Sequence, residues 1–366
     1  MNPDHLPTTP ARTTPALSAG KLRGLTTLAD DDGRFTMIAV DQRPPIFSAL
    51  ARHGDRDPSQ VTYDEVAAVK GALVEVLAPH ATAVLLDPVW THPHHLRSVP
   101  GRVGLLSTLE DYGFDLEGGE RRSRAISGWS VAKIRRSGAM AVKLLAWHRP
   151  DVSEATHAHQ DAFVEAVGRA CAEHDLPFVL ELLTYPLAGE DPSSADYARA
   201  KPAHVLGSLR RYADPRFGVD LMKLEFPAEL RRTEGFHAGA LDGVARDAVY
   251  DLDTVQGFLT DLDAASPVPW VLLSAGVGPR EFALNVELAI EAGASGVLAG
   301  RAVWYDALGA YPDLERVKAR LRDRSVPYLA QLRGIVQRGL PWHRHRRYGG
   351  APVVAGASPT WFEDYP

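Results

Sequence analysis

Eight short apolar runs recur along this chain, and longer amphipathic stretches separate them. The runs occupy residues 35–41, 82–87, 103–106, 140–145, 178–183, 221–226, 270–274 and 296–299. Each has the length and composition of a buried β-strand, whereas the stretches between them show the spacing of helices that pack on a core. A strand followed by a helix, repeated eight times, is the pattern of a TIM (β/α)8 barrel. We therefore predict an α/β fold of this kind.

A doubly wound parallel sheet would also alternate strands with helices, but no G-x-G-x-x-G sequence follows the first run. The 366 residues exceed the length of a typical barrel, about 250. We predict a short, disordered and flexible arm over residues 1–20, a barrel catalytic domain over residues 21–322, and a C-terminal helical and irregular extension over residues 323–366. Predicted helices cover residues 63–77, 123–136, 158–174, 197–212, 252–262, 280–292 and, in the extension, 326–339.

Three charged residues lie at the centres of runs that are otherwise apolar. Lys143 is in the fourth run, Glu181 in the fifth and Lys223 in the sixth. Charged groups are costly to take out of water, and inward-facing residues of neighbouring barrel strands converge on the axis. We therefore expect one shared polar site, with Asp41 at the end of the first run nearby. A structural network of buried ion pairs is the alternative, but charged residues on three consecutive strands favour catalysis.

An amine in such a site can attack a carbonyl and form a Schiff base. Because like charges repel, Lys143 would favour the neutral form of Lys223. A carboxylate between them, Glu181, would keep Lys143 charged and carry protons. Schiff-base chemistry is the first functional hypothesis.

The last two runs predict an anion site. Ser274 and Gly276 follow the seventh run, and Gly300 and Arg301 follow the eighth. Phosphate in barrel enzymes often binds at these two loops, where glycine turns expose backbone N–H groups. A serine hydroxyl and an arginine complete the donors that a phosphate needs.

Composition excludes several classes of function. The chain is 45% hydrophobic and 23% charged with a formal net charge of -6, so a nucleic acid partner is not expected. No apolar run approaches the roughly 20 residues of a membrane span. Residues 1–19 are rich in Thr and Pro without the apolar core of a secretory signal, which predicts a cytoplasmic protein. The single cysteine, Cys171, is predicted to be inert packing.

Nine segments, in order, resemble the class I tagatose-1,6-bisphosphate aldolase family over roughly residues 33–306. They are residues 39–43 (AVDQR), 85–88 (LLDP), 141–145 (AVKLL), 177–185 (PFVLELLTY), 200–202 (AKP), 216–227 (RFGVDLMKLEFP), 234–236 (EGF), 273–277 (LSAGV) and 296–304 (GVLAGRAVW). The resemblance implies a cytoplasmic aldolase that is expected to be a homo-oligomer, acts on a small sugar phosphate, and needs no metal and no cofactor.

The same resemblance implies a role for each site residue. Lys223 would form the Schiff base, with Glu181 and Lys143 as its proton-handling and orienting partners. Asp41, assisted by Gln42, would contact substrate hydroxyls. The phosphate of the dihydroxyacetone phosphate half would be bound by Ser274, Gly276, Gly300 and Arg301.

Departures from the family pattern leave the distal end of the substrate open. Pro44 and Pro45 stand where a glycine often follows the AVDQR segment, and the loop over residues 90–100 is unusually rich in His and Pro. A related branch cleaves 6-deoxy-6-sulfofructose 1-phosphate, and Arg43 or Arg97 is expected to meet either a phosphate or a sulfonate on C6. His92, His94 and His95 are interpreted as loop residues.

The other functional classes considered are a sugar-phosphate-sensing regulator and a barrel isomerase.

The extension carries a cluster of His and Arg at residues 342–348 (WHRHRRY). Such a cluster is able to bind a metal or an anion. Clustered charges usually lie on solvated surfaces, so we predict a solvated tail or a subunit contact.

Overall fold

Eight parallel strands close into a barrel in the computed structural model, which describes residues 16–363 and 365. The strands are β1 (Phe35–Ala39), β2 (Ala83–Leu86), β3 (Gly104–Thr108), β4 (Ala141–Trp147), β5 (Phe178–Leu183), β6 (Leu221–Leu224), β7 (Trp270–Leu272) and β8 (Gly296–Ala299). Each strand pairs with the next in sequence, and β8 pairs with β1. The predicted (β/α)8 barrel is thereby confirmed.

Helices surround the barrel and connect its strands. They are α1 (Ala19–Leu28), α2 (Pro44–Ala51), α3 (Tyr63–Leu77), α4 (His92–His95), α5 (Val131–Arg136), α6 (Glu154–Glu173), α7 (Ala195–Tyr212), α8 (Leu252–Ala265), α9 (Pro279–Ala292), α10 (Arg301–Trp304), α11 (Leu314–Arg320) and α12 (Val326–Val336). Side-chain caps explain several starts: Thr62, Ser153 and Ser194 each accept a hydrogen bond from an N–H of the first turn.

The helix predicted over residues 123–136 is shorter in the structure. It begins only at Val131, because the Ser130 side chain caps the first turn. The preceding segment is extended, and Asp115–Glu117 and Glu120–Arg122 form a small antiparallel hairpin. The polar residues of this hairpin gave no apolar alternation from which it could have been predicted.

Side chains alternate along each strand, and this alternation determines which of them point into the barrel interior. Ala141, Val179 and Leu221 belong to the apolar cluster that fills the interior from the N-terminal end. Two residues further along the same strands come Lys143, Glu181 and Lys223. Because side chains two apart share a face of a strand, the charged residues form the next interior layer toward the carboxyl ends.

Both ends of the described chain cover the N-terminal end of the barrel. Ala16–Leu17 pairs in parallel with Val353–Val354, and Trp342 and Tyr348 join the interior apolar cluster. Of the predicted flexible arm, residues 1–15 lie outside the described residues. The proposed division into arm, barrel and extension therefore stays a prediction.

The segment over residues 342–348 differs from the solvated tail that its charges suggested. Trp342, His345 and Tyr348 are buried, while Arg344 and the two arginines after His345 are exposed. The aromatic side chains supply the burial, and the charged ones point outward between them. Within residues 16–363 and 365, no helix is long and apolar enough to cross a membrane.

Candidate active site

Lys143 lies in the middle of a cage of carboxylates. Its Nζ is 2.9 Å from Asp41 Oδ2, 2.5 Å from Glu110 Oε1 and 2.7 Å from Glu181 Oε2. These four side chains are all at least nine-tenths buried. Burial lowers the pKa of Lys143, but the three carboxylates outweigh it and raise that pKa well above its usual value. Lys143 is therefore a permanent cation at neutral pH.

Glu181 connects the two lysines. The same oxygen that contacts Lys143 lies 2.9 Å from Lys223 Nζ. The strand register explains this geometry, because Glu181 of β5 and Lys223 of β6 are paired directly side by side. Burial raises the pKa of Glu181, and the two lysines more than offset that effect and hold the pKa below its usual value. An ionised carboxylate thus lies within proton-transfer distance of Lys223.

Lys223 has fewer anionic partners than Lys143. Its side chain is only 3% exposed, and Glu181 is the single carboxylate within 4.0 Å of it among the described residues. On the neighbouring strand it is paired with the apolar Val271. The structure therefore distinguishes the two lysines, one enclosed by three carboxylates and one in contact with a single shared carboxylate.

Asp41 and Gln42 follow β1 and direct unpartnered oxygens inward. Asp41 Oδ2 contacts Lys143, whereas Asp41 Oδ1 and Gln42 Oε1 are buried without a hydrogen-bond partner in the described part of the chain. Burial raises the pKa of Asp41, but Lys143 and Lys223 lower it further than burial raises it. An ionised carboxylate with one free oxygen is suited to accept hydrogen bonds from substrate hydroxyls.

Arg43 is enclosed by the protein. It is 4% exposed, and its guanidinium donates to the backbone oxygens of Asp41 and Glu110 at 3.1 and 3.2 Å. These bonds fix the loop that carries Asp41. Its proposed contact with the distal group of a substrate stays a prediction, as does that of Arg97, which is exposed.

The loops after β7 and β8 meet as the sequence predicts for an anion site. Gly300 N lies 3.4 Å from Ser274 Oγ, and a Cβ on Gly276 would come within 2.8 Å of the Arg301 guanidinium. Ala275 and Gly276 have φ of 44° and 82°, a left-handed turn that an alanine rarely adopts. Burial lowers the pKa of Arg301, and within the described residues no carboxylate pairs with it. The arginine is free to bind an anion.

One cavity joins these two groups of residues. Its lining includes Glu181 and Lys223 of the lysine site, Ser274, Gly300 and Arg301 of the loops after β7 and β8, and Gln42. The structure thus brings the predicted lysine site and the predicted phosphate site into contact with the same space.

Glu110 and the pair of Lys70 with Asp87 were missed from the sequence. Glu110 follows β3, the weakest of the eight runs, and its Oε2 also accepts from Leu145 N at 3.0 Å. Asp87 marks the end of the second run, but its partner Lys70, at 2.5 Å, lies inside α3. The signal for Glu110 was its position directly beyond a strand end, where barrel enzymes hold their functional groups.

The histidines after β2 do not gather around a common point that would suit a metal. His94 contacts the Tyr63 hydroxyl and His95 the Ala67 carbonyl, at 2.7 and 2.8 Å. Throughout residues 16–363 and 365, no group of three or more His, Cys, Asp or Glu is placed to hold a metal ion. Cys171 is buried in the core, and burial raises the pKa of its thiol, as expected for inert packing.

Comparison with known proteins shows the family. The sequence pattern of the DeoC/LacD family aldolases matches residues 35–306. The tagatose 1,6-diphosphate aldolase of Streptococcus pneumoniae is 32% identical over 326 residues, which cover 88% of this chain and 97% of that protein. The match runs through every segment that contributes to the site.

Solved structures share the fold at low sequence identity. A Schiff-base-forming fructose-1,6-bisphosphate aldolase superposes with a TM-score of 0.52 at 17% identity, covering 86% of this chain and 98% of the other. The fructose-bisphosphate aldolase of Plasmodium falciparum gives a TM-score of 0.58 at 12% identity over 89% and 98% of the two chains. These likenesses support the barrel architecture.

Proposed function

The chain belongs to the DeoC/LacD family of aldolases, and we propose that it cleaves a ketose 1-phosphate through a Schiff base on Lys223. The expected products are dihydroxyacetone phosphate and an aldehyde. The observation that carries this proposal is the Lys143–Glu181–Lys223 arrangement, in which one carboxylate oxygen contacts both ammonium groups. It provides a nucleophile, a proton carrier and a fixed positive charge within one buried layer.

In the proposed cycle, the Lys223 amine attacks the C2 carbonyl of the ketose. Glu181 accepts and returns the protons that move while the carbinolamine forms and loses water to give an iminium. A base removes the proton of the C4 hydroxyl, the C3–C4 bond breaks, and its electron pair enters the iminium to give an enamine. Protonation of C3 and hydrolysis release dihydroxyacetone phosphate and restore the lysine.

Lys143 would act in this cycle as an electrostatic element. Its charge is held by three carboxylates, so it would remain protonated and unreactive itself while placing a fixed positive charge near the reacting carbon. The free oxygen of Asp41 would accept hydrogen bonds from substrate hydroxyls. Orientation of the C4 hydroxyl by this wall favours cleavage because the reacting atoms are held in place before the bond breaks.

The C1 phosphate would bind at the loops after β7 and β8. Ser274, Gly300 and Arg301 line the cavity that reaches Lys223, and Gly276 lies against the Arg301 guanidinium. Together they offer a hydroxyl, two glycine backbones and a guanidinium. A phosphate bound there would bring C2 toward the lysine.

Tagatose 1,6-bisphosphate is the proposed substrate, with glyceraldehyde 3-phosphate as the second product. The support is the 32% identical S. pneumoniae protein, whose name specifies that substrate. The second candidate is 6-deoxy-6-sulfofructose 1-phosphate, which would yield sulfolactaldehyde. Arg43 does not distinguish the two candidates, because its guanidinium is engaged with the backbone oxygens of Asp41 and Glu110. A cytoplasmic location and assembly as a homo-oligomer stay predictions.

A cleavage assay tests the proposal. The protein is incubated with ketose 1-phosphates that carry a phosphate, a sulfonate or a hydroxyl on C6, with a metal chelator present, and dihydroxyacetone phosphate is measured. Release from at least one substrate, undiminished by the chelator, is expected. No release from any of them would overturn the proposed reaction, and release that needs a divalent ion would overturn the Schiff-base route.

A further inference from the structure

A second cavity borders the loops after β7 and β8. Its volume is about 630 Å³, and small-molecule sites have volumes of roughly 300–1,000 Å³. The cavity beside Lys223 measures about 50 Å³. The second cavity is lined by residues 276–279, 301–303 and 305–307 together with Arg320, Arg324, Ser325 and Tyr328. Arg301 lines both cavities.

The charges around the second cavity are unbalanced. Three arginines line it, whereas Asp306 is the one acidic residue among the described residues of its lining. Asp306 pairs with Arg324, with 2.9 Å between Asp306 Oδ2 and Arg324 Nη1. The lining therefore contains no further counter-charge for Arg301 and Arg320. An anion is the ligand that would supply one.

The rest of the lining is largely apolar and aromatic. Val303 and Ala307 are 5% and 3% exposed, and Tyr305 and Tyr328 are half-buried. A bare phosphate or sulfate would leave this surface without a contact. The second cavity therefore suits an anion that is attached to an apolar or aromatic body.

Hydrogen bonds hold the two tyrosines in place before any ligand binds. The Tyr328 hydroxyl donates to the Pro279 carbonyl at 2.6 Å, which joins α12 to the start of α9. Arg52 donates from Nη2 to the Tyr305 hydroxyl at 2.7 Å. Because these walls are already formed, little conformational entropy is lost when a ligand binds.

A π-helical turn forms part of one wall. It spans Leu321–Ser325, between α11 and α12. Arg320 directly precedes the turn and Ser325 ends it, and both line the second cavity. Turns of this kind are rare in proteins and occur frequently at functional sites. The turn is thus a second indication, independent of charge, that the cavity binds a ligand.

Arg301 connects the second cavity to the site of the aldolase reaction. Under the proposed function its guanidinium binds the C1 phosphate. An anion in the second cavity would compete for the same guanidinium and would repel the phosphate. Occupation of one cavity is therefore expected to weaken binding in the other, by the same factor in both directions.

We propose that the second cavity binds a small organic anion with an apolar or aromatic body, and that this ligand weakens binding of the C1 phosphate through Arg301. The binding site stands independently of the reaction, whereas its effect on the C1 phosphate rests on the proposed function. The ligand would thus act as an inhibitor that raises KM.

Fluorescence titration with anilinonaphthalene sulfonate tests the binding site. This dye joins an acidic group to aromatic rings, and it is too large for the cavity of about 50 Å³ beside Lys223. Arg320→Gln is expected to raise the dissociation constant of the dye about fivefold or more, because a cation of the lining is lost. Arg322→Gln is the matched control, since Arg322 is exposed on the same π-helical turn and lies outside the lining. Its dissociation constant is expected to change less than about twofold.

Ala307→Phe tests the shape of the same cavity. The larger side chain fills part of the space, so dye binding is expected to be lost. Urea unfolding verifies that the variant is folded, and Arg320→Gln decides the test if it is not. Equal dye binding by Arg320→Gln and the unmodified protein, or no dye binding by the unmodified protein, would overturn the proposed site.

Cleavage kinetics in the presence of the dye test the connection through Arg301. A saturating dye concentration is expected to raise KM for a ketose 1-phosphate about fivefold or more with little change in kcat. An unchanged KM would overturn the connection. If the unmodified protein cleaves no ketose 1-phosphate, the proposed function fails, whereas the dye titration still decides whether the second site exists.

Discussion

Two lysines lie one carboxylate apart in this barrel, and their surroundings differ. Lys143 on β4 contacts Asp41, Glu110 and Glu181, while Lys223 on β6 contacts Glu181 alone within the described residues. Three anions around one ammonium make a structural cation, since removing that ammonium would leave buried negative charge. The other lysine has a single carboxylate neighbour, which it shares with the first. The difference teaches that burial alone does not distinguish the two lysines, whereas the number of neighbouring carboxylates does.

The largest expected effect comes from Lys223→Met. Cleavage is expected to fall by a factor on the order of 10⁴ or more, because the covalent route is lost. The free energy of unfolding changes by less than about 1.5 kcal/mol, because a thioether of similar length fills the space. Glu181 also keeps its contact with Lys143 at 2.7 Å. Turnover measures the cleavage rate, and urea unfolding measures the free energy of unfolding. A variant that loses activity because it no longer folds would contradict the assignment.

Lys143→Met is expected to destabilise the fold, which Lys223→Met leaves nearly unchanged. Removing this cation leaves three carboxylates in a buried layer, so the free energy of unfolding is expected to drop by about 3–5 kcal/mol. Urea unfolding of the two methionine variants side by side makes the measurement, each serving as the control for the other. Equal free energies of unfolding for the two variants would mean that the number of carboxylates around each lysine does not affect stability.

Arg301→Gln examines the other end of the cavity. Loss of a charge-assisted contact with the C1 phosphate is expected to raise KM about 10- to 100-fold with a smaller effect on kcat. Arg324→Gln is the control, because this arginine is exposed and pairs with Asp306. Inhibition by inorganic phosphate should weaken in parallel in Arg301→Gln. A normal KM in that variant would remove Arg301 from the site.

Gly276→Ala provides a backbone test of the same loop. The added methyl group would lie 2.8 Å from the Arg301 guanidinium, and φ at this residue is 82°. The substitution is therefore expected to shift the arginine and raise KM about tenfold, without the loss of any charge. Kinetics identical to those of the unmodified protein would show that the guanidinium does not need its present position.

A smaller effect is expected from pH on the free energy of unfolding of these variants. The pKa values of Asp41 and Glu181 lie below their usual values of 3.8 and 4.5, because the lysines outweigh burial. A depressed pKa stabilises the fold above the unfolded value and ceases to do so as the pH falls through the folded value. In Lys143→Met these carboxylates lose their main cation and take up protons more readily.

The stability gap between the unmodified protein and Lys143→Met should therefore narrow by about 1–2 kcal/mol between pH 7 and pH 4. Urea unfolding at the two pH values measures it. Lys223→Met removes the weaker of the two cations that lower these pKa values, so its stability gap should change less with pH than that of Lys143→Met. A gap for Lys143→Met that widens on acidification would mean that the cage is not held by charge.

Strand periodicity made most of the central site predictable. Lys143, Glu181 and Lys223 interrupt apolar runs, and a period of two places each directly above an interior apolar residue of its own strand. The glycine loops were predictable because barrel phosphate sites recur after the last two strands. These signals are local in the sequence. The closed barrel brings the residues that carry them close together in space.

The remaining features depend on tertiary contacts that local patterns do not specify on their own. Glu110 lies just beyond β3 in an isolated bridge with Ala125, and only the position of this segment beside β4 brings it to Lys143. The ring nitrogens of His92, buried without a hydrogen-bond partner in the described part of the chain, likewise become visible only when its neighbours are known. Trp342 and Tyr348 were hidden among charged residues and are buried because the N-terminal end of the barrel needs an apolar cover.

Borohydride trapping tests the central claim most directly, because it asks which of the two lysines reacts. The protein is incubated with dihydroxyacetone phosphate, reduced, digested and mapped by mass spectrometry. The account predicts a single adduct on the peptide that contains Lys223, lost in Lys223→Met. An adduct on Lys143, or no adduct at all, would contradict it.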